Sequence, residues 1–221
     1  PLPAITQPVT IMGNHLANGT KTVEIDGTNA GAPADGLKIR ASNAFIYDIA
    51  ITGFKSQMIS GSQVGGNGIV IESDSAHPNN TGNNLLACFL GIDAAGTTAK
   101  KNMAAGLLIF DSDENFVTNT VSSGNNTGIA IEGGNSNGFA GNIIGLDAGG
   151  TAKVPNYQGM FLAGADNRVG GDSAGFSNTI SGNGVVSNIS PCVGYGIYVA
   201  VFADLTTLEL LTHDNSISGN K

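Results

Sequence analysis

Six times along this chain a glycine is followed by an apolar–any–apolar triplet, and no other feature limits the fold so tightly. The copies are Gly36-Leu-Lys-Ile39, Gly68-Ile-Val-Ile71, Gly106-Leu-Leu-Ile109, Gly128-Ile-Ala-Ile131, Gly159-Met-Phe-Leu162 and Gly196-Ile-Tyr-Val199. Between them recurs Asn-x-apolar-x-Gly-Asn, as Asn137–Asn142, Asn178–Asn183 and Asn215–Asn220, with one extra residue in Asn119–Asn125. The glycines are 32, 38, 22, 31 and 37 residues apart. Gly91-Ile-Asp-Ala-Ala-Gly-Thr97 and Gly145-Leu-Asp-Ala-Gly-Gly-Thr151 explain much of the unevenness, because they match at an offset of 54. The 22-residue interval lacks this segment, the 31-residue interval contains it, and the last interval carries Gly170–Ser177 instead. The unit is thus a coil of about 22 residues that accepts loops, enough for three short strands and their turns at roughly 3.3 Å per strand residue.

The first and third residues after each glycine are aliphatic or methionine, so period-two alternation places them on one face. A stripe that recurs once per coil is buried only by stacking coil on coil. The expected fold is all-β: one single-stranded right-handed parallel β-helix over residues 1–221, of about seven coils with inserted loops. The 24 asparagines are expected to stack as ladders at equivalent corners. Other classes fall away. The 33 glycines lack the collagen period, and 41% hydrophobic residues is too many for a disordered chain. The longest apolar run, Ile197–Ala203, is too short to span a bilayer.

Asn-Thr-Ile-Ser-Gly-Asn, Gly-Leu-Asp-Ala-Gly-Gly-Thr and the opening Leu2-Pro-Ala-Ile-Thr-Gln-Pro-Val-Thr-Ile11 resemble the right-handed β-helix repeat regions of large secreted or cell-surface bacterial proteins. The resemblance covers nearly the whole chain and implies the fold shared with pectate lyases, in an extracellular or cell-surface setting. It implies no particular reaction. The chain departs from the pattern at Cys88, where asparagine is usual, and over Ala200–Leu211.

In a β-helix, function sits on outward side chains and loops. The second position after each glycine points outward: Lys38, Val70, Leu108, Ala130, Phe161 and Tyr198. Five of these six are apolar or aromatic, an unusual stripe for a wet face. It is either a ligand groove, with Val70, Leu108, Phe161, Tyr198 and Arg40 as contacts, or a surface covered by loops or by Ala200–Leu211. The fourth position also points outward and carries Arg40, Glu72, Phe110, Glu132, Ala163 and Ala200. Glu72 and Glu132 fall two coils apart, about 9.6 Å at roughly 4.8 Å per coil. That is the upper edge of the carboxyl separation in inverting glycosidases. Asp111 and Asp113 are further candidate acids; Arg40 alone offers the cation a lyase needs.

Asp111, Asp113 and Glu114 are also the densest carboxylate cluster, a weak candidate for a metal. No cofactor is expected, since the spacing does not support calcium: each matched loop offers one carboxylate, Asp93 or Asp147, which suits an Asx turn. His15, His77 and His213 are far apart, so no shared triad is expected. Cys88 and Cys192 read as two buried thiols or one disulfide. With 9 basic and 17 acidic residues, net −8, nucleic acid and anionic membrane surfaces are unsuitable partners. The start has no signal-peptide pattern, and the chain stops within a unit without a cap. This suggests a piece of a longer protein or self-association through the end coils, head to tail, into a filament.

Two classes of function follow. One is a non-enzymatic structural or adhesive module facing a polysaccharide or another cell-surface partner. The other is a carbohydrate-active enzyme, hydrolase or lyase, with a pure polysaccharide-binding module between them.

Overall fold

Each coil of the chain passes through three short strands that belong to three different parallel sheets. The computed structural model describes residues 2–171, 173, 175–184, 195–200 and 214–221. The first sheet stacks Thr10–Met12, Phe45–Tyr47, Asn84–Leu86, Phe116–Thr118, Gly138–Ala140, Arg168–Gly170 and Ser216–Ser218. The second stacks Glu24–Asp26, Ala50–Thr52, Phe89–Leu90, Val121–Ser122, Ile143–Ile144 and Thr179–Ile180. The third stacks Leu37–Ile39, Ile69–Glu72, Ala105–Phe110, Thr127–Glu132, Gln158–Ala163 and Ile197–Val199. Neighbours within a sheet are one whole coil apart in the chain, which is the right-handed parallel β-helix expected from the repeat. An antiparallel hairpin, Ser56–Ile59 with Ser62–Gly65, stands outside it.

Register in the third sheet follows the glycine repeat. Leu37, Ile69, Leu107, Ile129, Met160 and Ile197 pair in one row, and Ile39, Ile71, Ile109, Ile131, Leu162 and Val199 in another. The members from the first five strands are buried. They join Ile46, Leu85, Val117, Phe139 and Val169 of the first sheet and Ile51, Leu90 and Ile144 of the second in one core. Each such side chain contributes roughly 1.5–3 kcal/mol by leaving water. The last third-sheet strand is less enclosed: Ile197 is half-buried and Val199 exposed.

None of the repeat glycines has a positive φ, and the first five serve close approach instead. A Cβ on Gly128 would lie 2.5 Å from the Gly159 carbonyl oxygen, and one on Gly159 2.3 Å from that of Gly196. Positive φ belongs to other corners. Gly82, Glu114, Ser136, Asp166 and Asp214 all have it, and each immediately precedes an asparagine of the first ladder.

That ladder, Asn83–Asn115–Asn137–Asn167–Asn215, turns the chain from the third sheet into the first. The backbone N–H and the Nδ2 of Asn83 both donate to Asn115 Oδ1, at 3.0 and 2.9 Å. The same double bond recurs from Asn115 to Asn137 and from Asn137 to Asn167. A second column, Cys88–Thr120–Asn142–Asn178–Asn220, links the first sheet to the second. A third, Asn125–Asn156–Asn183, links the second sheet to the third. The Asn-x-apolar-x-Gly-Asn stretch is therefore one side of a coil, and not always the same side. Asn137–Asn142 and Asn215–Asn220 span the first sheet, whereas Asn178–Asn183 spans the second. Cys88 is a buried free thiol in the asparagine row, and desolvation pushes its pKa up to about 11. Cys192 and His213 lie outside the described residues.

Candidate functional site

The outward row Lys38, Val70, Leu108, Ala130, Phe161 and Tyr198 is paired rung by rung, but it is not the continuous exposed stripe expected. Val70 is only 2% exposed and Ala130 is also buried, so Val70 is not placed to touch a ligand. Leu108 and Phe161 are half-buried, and Tyr198, at 43%, is exposed. Short side chains recessed between longer rung neighbours account for part of this. The hairpin adds a wall, held by Gln63 Nε2 donating to the Met103 carbonyl at 3.0 Å. Hairpin and sheet together form a groove of about 260 Å3, lined by Gln63, Gly65, Asn67, Ala104, Ala105, Leu108, Asn126, Thr127, Ala130 and Glu132. The expected cover from Ala200–Leu211 lies, beyond Ala200, outside the described residues.

Phe161 and Tyr198 stack at 5.8 Å between centroids with planes 25° apart, and Tyr195 adds a third ring 5.3 Å from Tyr198. The rings thus use part of their faces on one another. Tyr195 and the groove's Asn67, Asn126 and Thr127 are absent from the sequence-based candidates. A signal for the last three exists, because Asn67 and Asn126–Thr127 directly precede repeat glycines.

Phe110 pairs with both Glu72 and Glu132, so the two glutamates are two rungs apart, as the repeat requires. Their surroundings differ. Glu72 accepts from Arg40 Nε at 2.6 Å and has Lys38 Nζ at 3.6 Å. Arg40 also reaches Asp74 at 3.0 Å, and Lys38 reaches Asp35 at 3.5 Å. Desolvation raises the Asp74 pKa, but hydrogen bonds from His77 and Ala76 and the Arg40 charge outweigh it, for a net lowering. Glu132 has no ion-pair partner among the described residues. Although its side chain is exposed, desolvation at the groove raises its pKa, and the negative charge of Asp111 adds to the effect. The geometry thus sets an ion-paired carboxylate and one with a raised pKa on a single face.

Asp111, Asp113 and Glu114 do not form the cluster their adjacency suggests. Asp113 Oδ1 accepts the Asn135 N–H at 2.8 Å, while Glu114 Oε2 accepts the Thr81 hydroxyl at 3.1 Å. Asp111 and Glu114 both occupy positive-φ corner positions, which turn neighbouring side chains apart. Among the described residues no three His, Cys, Asp or Glu side chains come together to hold a metal. The matched loops are Asx turns: Asp93 Oδ1 accepts the N–H groups of Thr97 and Thr98, and Asp147 Oδ1 those of Thr151 and Ala152. The backbone bonds from Thr151 and Ala152 lower the Asp147 pKa.

No family model and no curated protein matches this chain. Among solved structures, the A-module of the Azotobacter vinelandii mannuronan C-5 epimerase AlgE4 is similar over 96% of this chain, with 10% identity and a TM-score of 0.34. This chain spans 58% of that one's length. A likeness this low carries nothing from that protein's site to this one.

Proposed function

We propose that this β-helix is an adhesive module that binds a glycan chain along the outer face of the third sheet, in an extracellular or cell-surface setting. The observation that supports it is the make-up of the 260 Å3 groove. Its lining combines apolar Leu108 and Ala130 with polar Gln63, Asn67, Asn126 and Thr127, the Asn67 amide being already bonded to Asp35 and to the Ala105 N–H. A sugar ring presents the same combination in reverse, an apolar C–H face with hydroxyls at its edge. The aromatic group at Phe161 and Tyr198 lies along one direction of the rung row, and the Arg40–Glu72 ion pair along the other. Calorimetric titration with neutral and acidic oligosaccharides tests this. Binding that Leu108→Asp weakens at least about tenfold, or about 1.4 kcal/mol, supports the reading. No binding to any of them, or unchanged affinity in Leu108→Asp, overturns it.

A second reading, glycoside cleavage, draws on the raised Glu132 pKa two rungs from the ion-paired Glu72. A carboxyl with a raised pKa suits a general acid, and a second carboxyl two rungs away suits a general base. New reducing ends that vanish in Glu132→Gln, with binding retained, would favour it.

A further inference from the structure

The outer face of the second sheet holds another groove, of about 520 Å3, between the loop around His15–Lys21 and the two matched loops. Its floor includes Phe89, Val121 and Ile143. One matched loop leans on the other, with the Ala148 N–H donating to the Gly96 carbonyl at 2.8 Å. At its edge the carboxylate of Asp48, 1% exposed, has two partners at once. His15 Nδ1 lies 2.6 Å from one oxygen. The buried Lys21 ammonium bonds the other, 4.4 Å from the Phe89 ring centroid. Desolvation raises the Asp48 pKa, but the bonds from Lys21 and His15 outweigh it and the net shift is downward. An ionised carboxylate at Nδ1 favours the tautomer that donates from Nδ1 and carries its lone pair on Nε2. His15 lines the groove with 46% of its side chain exposed.

We propose that His15 is a general base in this groove, with Asp48 and Lys21 as positioning residues, and that its substrate is a neutral acyl ester cleaved by water. Other chemistries lack a component here. Glycoside hydrolysis uses two carboxyls flanking the bond, whereas the carboxylate lining this groove, Asp147, is engaged by Thr151 and Ala152 amides. Proton removal beside a sugar carboxylate needs a cation to neutralise it, and Lys21 is engaged by Asp48. Acyl hydrolysis needs one base and donors for an oxyanion, and Asn18 and Asn119, both of which carry an amide N–H2, are among the residues that line the same groove. His15 Nε2 takes a proton from water as the water oxygen bonds to the acyl carbon. The tetrahedral oxyanion then collapses, the ester C–O bond breaks, and the imidazolium returns its proton to the leaving alkoxide. One acid and one alcohol result, with no further reactant.

The test is hydrolysis of p-nitrophenyl acetate by the full chain, compared with free imidazole at equal concentration. The expected kcat/KM exceeds that of imidazole and falls at least about 100-fold in His15→Gln. Because His15 is half exposed, that variant is expected to fold, and its far-UV spectrum and melt check this. Asp48→Asn, where it remains folded, should lower kcat more than it raises KM. A rate no higher than that of imidazole, or an unchanged rate in folded His15→Gln, overturns the assignment.

Discussion

The outer faces of the second and third sheets begin from similar material and end differently. Ala50, Phe89, Val121 and Ile143 form the outward row of the second sheet, and Val70, Leu108, Ala130 and Phe161 belong to that of the third. Over the second sheet the matched loops bring Ile92, Ala94, Ala148 and Val154 down onto the row, making a second small hydrophobic core. The hairpin walls part of the third-sheet row, and toward Tyr198 that row becomes exposed. Residue type on an outward row therefore does not separate core from binding surface in a β-helix. The inserted segments do: the matched loops bury most of the second-sheet row and leave a bounded groove over Phe89, Val121 and Ile143, whereas the hairpin walls only part of the third-sheet row.

The sharpest way to break this comparison is to truncate one ring on each face. Phe89→Ala removes a buried ring beneath the loops and the aromatic surface under Lys21, and is expected to cost about 3–5 kcal/mol. Phe161→Ala removes a half-buried ring that stacks on Tyr198 and is expected to cost about 0.5–1.5 kcal/mol. Urea midpoints at constant m-value measure both. Equal costs would mean that the third-sheet row is as much a core as the second.

Two glycines in corresponding loops sharpen it at a finer scale. Gly91 starts the first matched loop at φ +79°, and a Cβ there would lie 2.0 Å from Asn125 Oδ1. That oxygen is buried and without a hydrogen-bond partner, marking a break in the third asparagine column where the loop inserts. Gly91→Ala should therefore destabilise by about 1–3 kcal/mol through backbone strain and the clash. Gly149 lacks a positive φ and meets nothing closer than 3.5 Å, so Gly149→Ala, which copies Ala95 of the first loop, should stabilise by about 0.4–1 kcal/mol. Thermal melts of both variants check the pair.

What could be read in the sequence divides along physical lines. Register in the third sheet was legible because period-two alternation and a glycine at fixed phase leave one alignment that buries both stripes. The Arg40–Glu72 pair was half-legible: both stand at the fourth position, one rung apart, so proximity followed but their bonding did not. The His15–Asp48–Lys21 group was not legible. Its members are 33 and 27 residues apart and meet only because coil stacking and the docking of a loop bring them together. Asp111–Glu114 misled for the converse reason, since adjacency along a tight corner separates side chains rather than gathering them. The repeat glycines were found by pattern, but their cause, carbonyls of the next coil at 2.2–2.6 Å from the missing Cβ in Gly36, Gly68, Gly128 and Gly159, required the stacked coils.

Acid should separate the two faces in opposite directions. Asp48 has a lowered folded pKa, so its contribution is complete above the ordinary carboxylate value of 3.8 and is lost as pH falls through the folded value. Losing the charge removes hydrogen bonds to Lys21 and His15, expected to cost about 1.5–3 kcal/mol, and loosens the second-sheet side first. Glu132 has a raised folded pKa, so the folded protein holds that proton more tightly than the unfolded chain does. Its contribution is therefore greatest below the ordinary value of 4.5 and declines as pH rises toward the folded value. At pH 7 the ionised Glu132 is a small cost, under about 0.5 kcal/mol given its exposure, and Glu132→Gln should remove it. Hydrogen-exchange protection followed from pH 7 down to well below the ordinary carboxylate value reads both rows in one experiment. Amides beside Asp48 should lose protection in acid while those beside Glu132 hold or gain it, and a parallel loss at both would show that the two faces share one electrostatic environment.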